Sequence, residues 1–226
     1  MLRSIPVTSL FLALTGLVAC TTPTPPTAAP APVASTPSNP APSGAPEWLA
    51  TDTLFAVMGG VKDLTVADLF AGDGTYTLRL LDAGARVIAI DTDAAALEAL
   101  AAQARQRGFG PDRLTTRVTT PGVPGITPGE VDRALCTRTF LTIQDRIPFF
   151  TAVKAGLRPK GQLIIVDFLP EQTPMGPPVD LRVTVEQVMD ELEPCGFTDI
   201  GGYSKKIPYR FIIQAMEFDP GTLPAE

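Results

Sequence analysis

The chain has 226 residues, with 18 Lys and Arg against 24 Asp and Glu, a formal net charge of −6, and no histidine. An acidic chain lacks the basic footprint that nucleic-acid binding requires. Without histidine the commonest metal ligand and the commonest general base are both missing, so no metal site is expected.

The first residues read as an export signal rather than as part of a fold. Arg3 precedes an apolar run from about Leu10 to Ala19, too short to span a bilayer, which ends in Leu17-Val18-Ala19-Cys20. That ending resembles the lipobox of bacterial lipoproteins. The resemblance implies cleavage of residues 1–19, lipid on Cys20, and a place in the cell envelope, at its periplasmic or extracytoplasmic face. Thr21 to Pro46 is built largely from Pro, Ala, Thr and Ser without charge, and cannot form a core. Pro-rich chain extends by about 3.1 Å per residue, so residues 20–46 form a tether with a reach on the order of 80 Å. Residues 47–226 hold all the acidic residues and every basic one except Arg3, and are long enough for one domain with a single core.

Within that domain, Trp48 to Met58 reads as a short helix ended by Gly59-Gly60, with the single Trp as a packing residue. Val66 to Phe70 is an apolar run broken only by Asp68, as expected of a parallel strand covered on both faces. Gly72 and Gly74 allow a tight turn and the close approach of a ligand, and a branched side chain at Gly74 would fill space that the ligand needs. A helix from about Thr75 to Ala83 follows, its N-terminus towards the crevice. The strand Arg86 to Ile90 then delivers Asp91 to the carboxyl edge of the sheet, where open α/β folds bind ligands and an acid can hold ribose hydroxyls. A dinucleotide site would need a third glycine, but Thr77 stands there, and Asp73 in the loop would repel a diphosphate while tolerating a cation.

Asp93 can cap a helix with Leu97, Leu100, Ala101 and Ala104 on one face and Gly108 as its stop. Leu114 to Thr119 reads as an edge strand, Thr120 to Gly129 as a Pro/Gly loop, and Val131 to Cys136 as a further strand with Thr137, Arg138 and Thr139 at its carboxyl end. Ile147, Phe150, Val153 and Leu157 mark a helix face that stops near Arg158-Pro159, before the strand Gln162 to Phe168. Thr184 and Gln187 form a capping box for a helix with Val185, Val188, Met189 and Leu192, closed by Pro194 and Gly196. Two strands, Phe197 to Tyr203 and Tyr209 to Phe218, would be joined through Lys205-Lys206. Cys136 and Cys195 are read as buried free thiols, with a disulfide as the alternative in an oxidising envelope.

The Asp68-Gly72-Gly74 spacing with Asp91 resembles motif I of class I S-adenosylmethionine (SAM)-dependent methyltransferases. Residues 131–168, with Leu157-Arg158-Pro159-Lys160-Gly161, resemble the second half of that family in its quinone-biosynthesis branch. The resemblance spans roughly Leu54 to Phe218. It implies an α/β fold: a three-layer Rossmann-like sandwich on a mostly parallel seven-stranded sheet with a C-terminal antiparallel hairpin. It also implies SAM as cofactor, bound at Asp68, Gly72, Gly74 and Asp91, and a small-molecule substrate.

Three departures are visible. Phe70 stands where the family commonly has glycine, the loop 120–129 lacks an acid for the adenine amino group, and Leu141-Thr142 replaces a His pair, so no catalytic residue is carried over. Tyr76, Arg138, Asp145 and Tyr209 are the polar candidates at the crevice mouth. Three readings remain: a lipid-anchored methyltransferase, a non-catalytic binding or scaffold protein of the envelope with the same fold, and a nicotinamide-dependent oxidoreductase, which Thr77 and Asp73 disfavour.

Overall fold

The structure is a computed structural model, and it describes residues 50–218. The signal, Cys20, the tether and Trp48 lie outside the described residues. Within them no helix is long and apolar enough to cross a membrane, and no cluster of three or more metal-type ligands occurs.

Seven strands form one sheet in the order β3-β2-β1-β4-β5-β7-β6. β1 (Thr65–Leu69), β2 (Arg86–Asp91), β3 (Leu114–Val118), β4 (Val131–Thr137) and β5 (Leu157–Phe168) pair in parallel. β6 (Asp199–Ile207) and β7 (Arg210–Met216) add the antiparallel pair, β7 against β5. The expected α/β architecture is therefore the observed one, with β3 at an edge. Side-chain alternation along the strands divides the core into two. On one face α1 (Thr51–Val57), α2 (Thr75–Asp82) and α3 (Ala94–Gln106) bury Leu54, Leu80, Leu97 and Leu100 against Val66, Val87 and Ile164. On the other, α4 (Arg146–Gly156) and α5 (Val185–Leu192) bury Phe149, Phe150, Val153, Val188 and Leu192 against Leu69, Ile165 and Ile213.

The expected caps are present. Asp93 accepts from the amides of Ala95 and Ala96, and Thr184 and Gln187 bond reciprocally at the head of α5.

Three expectations are corrected. Ile147 is 48% exposed, because the buried face of α4 runs through Phe149, Phe150 and Val153. Leu157 is already extended and pairs with Val131, so α4 stops at Gly156, ahead of the residue that Pro159 holds out of helical geometry. Lys205 and Lys206 are not the hairpin connection: they lie within β6, at a register shift, and the chain turns at Pro208 and Tyr209, the latter at φ 65°. Cys136 and Cys195 are both buried and free.

Residues 169–182 contain little regular structure beyond a single 3-10 turn at Val179–Leu181. They are gathered by Arg182, which donates to the carbonyls of Leu169, Glu171, Met175 and Pro177 and stacks on the Phe168 ring at 5.2 Å.

Candidate functional site

At the carboxyl end of β1 the chain passes through Phe70, Ala71, Gly72 and Asp73 into α2. Phe70 (φ 58°), Gly72 (54°) and Gly74 (75°) all lie in the left-handed region. Asp91, at the end of β2, braces this loop: one carboxylate oxygen accepts from the Gly72 amide at 2.8 Å and the other from the Asp93 amide at 3.0 Å. Each oxygen keeps a further lone pair for a ligand. A Cβ on Gly72 would meet only the Phe70 carbonyl oxygen at 3.8 Å, so the backbone there is open to close approach. Asp73 accepts from the Thr75 amide at 3.0 Å, placing a carboxylate at the head of α2 where a phosphate would otherwise sit.

Two expected site residues hold the loop in place from behind. Asp68 is buried beneath the loop, where its carboxylate accepts the Thr77 hydroxyl at 2.6 Å. Burial pushes this acid up to about 7, against the lowering effect of the bonds from Thr77. The pair pins α2 to β1, which explains why Thr77 stands where a dinucleotide fold has its third glycine. At Gly74 a Cβ would sit 2.1 Å from Leu100 Cδ1 of α3. The expectation that a side chain at Gly74 would mainly fill ligand space is corrected, since it would strike the helix behind the loop.

The neighbouring surface, where Phe70 and Ile90 meet Thr119, Val123, Pro124 and Phe149, is a shallow apolar dent that these side chains fill. Phe70 stacks on Phe149 at 5.7 Å. The Pro/Gly loop is clamped over the dent by Arg117, which pairs with Glu130 at 2.7 Å and donates to the Gly125 carbonyl. Glu130 also accepts the Thr127 amide at 2.8 Å, and the guanidinium holds its carboxyl down at about 2.

Across β1, the ends of β4, β5 and β7 bring together a second polar group. Arg210 is 1% exposed, donates to the Tyr76 hydroxyl at 3.0 Å, and lies 4.8 Å over the Phe168 ring. Asp167 is buried. One carboxylate oxygen accepts the Phe168 amide, and among the described residues the other has no hydrogen-bond partner. Burial raises Asp167 and Tyr76 and lowers Arg210, in each case disfavouring the charged form. Arg138, exposed and at φ 61°, stands at the end of β4.

Tyr76 and Arg138 were therefore legible as polar candidates, whereas Asp167 and Arg210 were not. Their one signal is a charge at the end of an otherwise apolar strand. Asp145 is exposed before α4, and Tyr209 is 40% exposed at the hairpin turn; neither joins this group. Cys136 is no nucleophile, since burial pushes its thiol up to about 12.

The switch point between β1 and β4 is thus lined by a glycine turn and by an acid on the neighbouring strand β2. Residues 66–161 match the methyltransferase domain family. The matched segment runs from β1 into β5 and so contains Asp68, Gly72, Gly74 and Asp91. No curated relative matches the chain. Among solved structures, a SAM-dependent methyltransferase from Aquifex aeolicus is 21% identical, with 76% of this chain and 92% of that one covered at a TM-score of 0.69. A SAM-dependent methyltransferase from Mesorhizobium loti is 18% identical over 76% and 98%, at 0.59. The [4+2]-cyclase SpnF is 19% identical over 72% and 62%, also at 0.59. These likenesses establish the methyltransferase fold, and the cyclase is a reminder that one fold hosts several chemistries.

Proposed function

We propose that the chain is a SAM-dependent methyltransferase acting on a small molecule. The observation that carries this reading is Asp91 at the end of β2, bonded to the Gly72 amide beside a loop that bears Asp73. That arrangement accepts a ribose and a cationic ligand and disfavours a diphosphate. Asp91, Gly72 and the head of α2 would hold the nucleoside end, while Asp68 and Gly74 keep the loop in place from behind. The sulfonium of SAM supplies an activated methyl group, so the residues of this chain need only align the acceptor and exclude water. Alignment of this kind is worth about 7–11 kcal/mol in favourable cases, which makes the absence of the family's His pair tolerable. Calorimetry with SAM, S-adenosylhomocysteine and NAD tests the proposal. The two sulfur nucleosides should bind and NAD should not; NAD binding alone would overturn it.

The lipobox-like ending at Cys20 and the Pro-rich segment after it support an envelope address on a lipid anchor. Radiolabelled palmitate should enter the chain and fail to enter Cys20→Ala, which should leave the membrane fraction. A variant that stays attached would remove the anchor. The quinone-biosynthesis branch rests on the resemblance of residues 131–168, with Leu157-Arg158-Pro159-Lys160-Gly161.

The filled dent at Phe70 favours a second reading, a non-catalytic binding or scaffold protein. The same titration separates the two, because that protein would bind none of the three ligands.

A further inference from the structure

We propose that Arg138, Tyr76 and Arg210 form a subsite for a carboxylate on the molecule to be methylated. The proposal rests on the methyltransferase reading for the identity of that molecule and on the geometry alone for the carboxylate.

Arg138 is held in a left-handed backbone conformation, φ 61°, that glycine adopts freely and arginine does not. Its amide is fixed by a 2.9 Å bond to the Val166 carbonyl, so the strain is built into the junction of β4 and β5. Strain of this kind concentrates at functional positions. Its guanidinium is exposed and, among the described residues, makes no hydrogen bond or ion pair. The other described arginines outside helices all donate to a carbonyl, carboxylate or hydroxyl: Arg86, Arg107, Arg113, Arg117, Arg133, Arg158, Arg182 and Arg210.

Tyr76 gives a second, independent sign. Its hydroxyl is the acceptor for Arg210, and the residue is 3% exposed, yet among the described residues its own proton has no acceptor. A buried O–H ordinarily has one. Arg138 follows the last β4 residue paired with β5, and its amide binds the carbonyl of Val166, the residue before Asp167; Phe168 in turn pairs with Arg210, which donates to Tyr76, so Arg138 stands at the same end of the sheet as that pair.

A carboxylate suits these donors. Its two oxygens match the planar fork of Arg138 and the O–H of Tyr76, with Arg210 behind. A dianionic phosphate would bring twice a carboxylate's charge against Asp167, which precedes the residue paired with Arg210. The sheet order sets which molecule brings the carboxylate. Asp91 is on β2, the glycine loop follows β1, and β4, β5 and β7 lie beyond, so a nucleoside held at Asp91 leaves the Arg138 side for the acceptor.

The test is calorimetry on the full-length chain with S-adenosylhomocysteine present, using benzoate and hexanoate as probes against benzamide and hexanamide. The acids should bind about tenfold more tightly than the amides, or better, as charge-assisted bonds require. Arg138→Gly should abolish that preference while raising the unfolding temperature, because it removes the guanidinium and relieves the backbone. Arg138→Lys should restore the preference in part. Equal binding of acids and amides, no binding of either acid, or a preference that survives Arg138→Gly would each overturn the subsite. If Arg138→Gly weakens S-adenosylhomocysteine but not 5′-methylthioadenosine, the carboxylate held is the cofactor's own and the acceptor assignment falls. If the unmutated chain binds no nucleoside, the methyltransferase reading fails, and the acid and amide panel repeated without nucleoside still decides the carboxylate.

Discussion

Gly74→Ala should destabilise the domain and leave the ligand surface nearly intact. At φ 75° an alanine carries a left-handed penalty of about 1–2 kcal/mol. Its Cβ would sit 2.1 Å from Leu100 Cδ1 and 3.0 Å from Cγ, and Leu100 is 1% exposed, so it cannot swing into solvent. Overpacking at such a contact costs about 1–3 kcal/mol, giving a total of about 2–5 kcal/mol. For a domain of this size that lowers the unfolding temperature by roughly 4–20 °C. The two components can be separated. Leu100→Ala alone should cost about 2–5 kcal/mol as a cavity, but in the double variant the alanine methyl enters space already vacated. The double variant should therefore be more stable than the sum of the singles predicts, by about 1–3 kcal/mol. Thermal and denaturant unfolding of the four chains measures this. Strict additivity, or a Gly74→Ala variant of normal stability that has lost SAM binding, would refute the reasoning.

Asp91→Asn should weaken SAM binding about tenfold or more by calorimetry, because a charged acceptor for the ribose is lost. It should also cost on the order of 1 kcal/mol in stability, because the bonds from the Gly72 and Asp93 amides are weakened; unaltered affinity would remove Asp91 from the site. For Asp68, whose acid is raised to about 7 in the fold against about 3.9 unfolded, the native state holds the extra proton between those values. This group's contribution to stability therefore falls as pH rises from about 4 to about 7 and is flat beyond. Urea unfolding across that range should show a shallower fall in Asp68→Asn than in the parent, and parallel profiles would count against the assignment. Phe70→Gly relieves a left-handed strain of about 1–2 kcal/mol and forfeits a stack on Phe149 and part of a ring's burial, about 2–3 kcal/mol. Its stability should stay within about 2 kcal/mol of the parent while S-adenosylhomocysteine binds more tightly; weaker binding would mean that the ring is part of the ligand contact.

The order of elements was legible because each depends on its own neighbourhood. Alternating apolar runs, the Gly72-Gly74 turn, and the caps at Asp93 and Thr184 act within a few residues, and all appear in the fold. The misplacements share a cause of another kind. Whether Ile147 or Phe149 faces inward depends on how α4 lies against the sheet, and the position of the β6-β7 turn depends on a register shift opposite β7. The site divides similarly. Asp91 and Gly72, 19 residues apart, belong to one strand-turn-helix-strand unit. Arg210 reaches Tyr76 across 134 residues, and no local pattern announces such a bond. The role of Gly74 was misread for the same reason, since Leu100 comes from the next helix.

Arg182 holds the segment after β5 by one side chain bonded to four carbonyls from Leu169 to Pro177. Thirteen residues, 169–181, thus have little internal repeat to unzip stepwise, and withdrawal of one guanidinium releases carbonyls at both ends of the segment together. The same guanidinium leaves the Phe168 ring, whose neighbour Asp167 carries the buried, unpartnered carboxylate oxygen. Loss of Arg182 should therefore loosen residues 169–177 as a group, and limited proteolysis of Arg182→Ala should cut within them faster than in the parent.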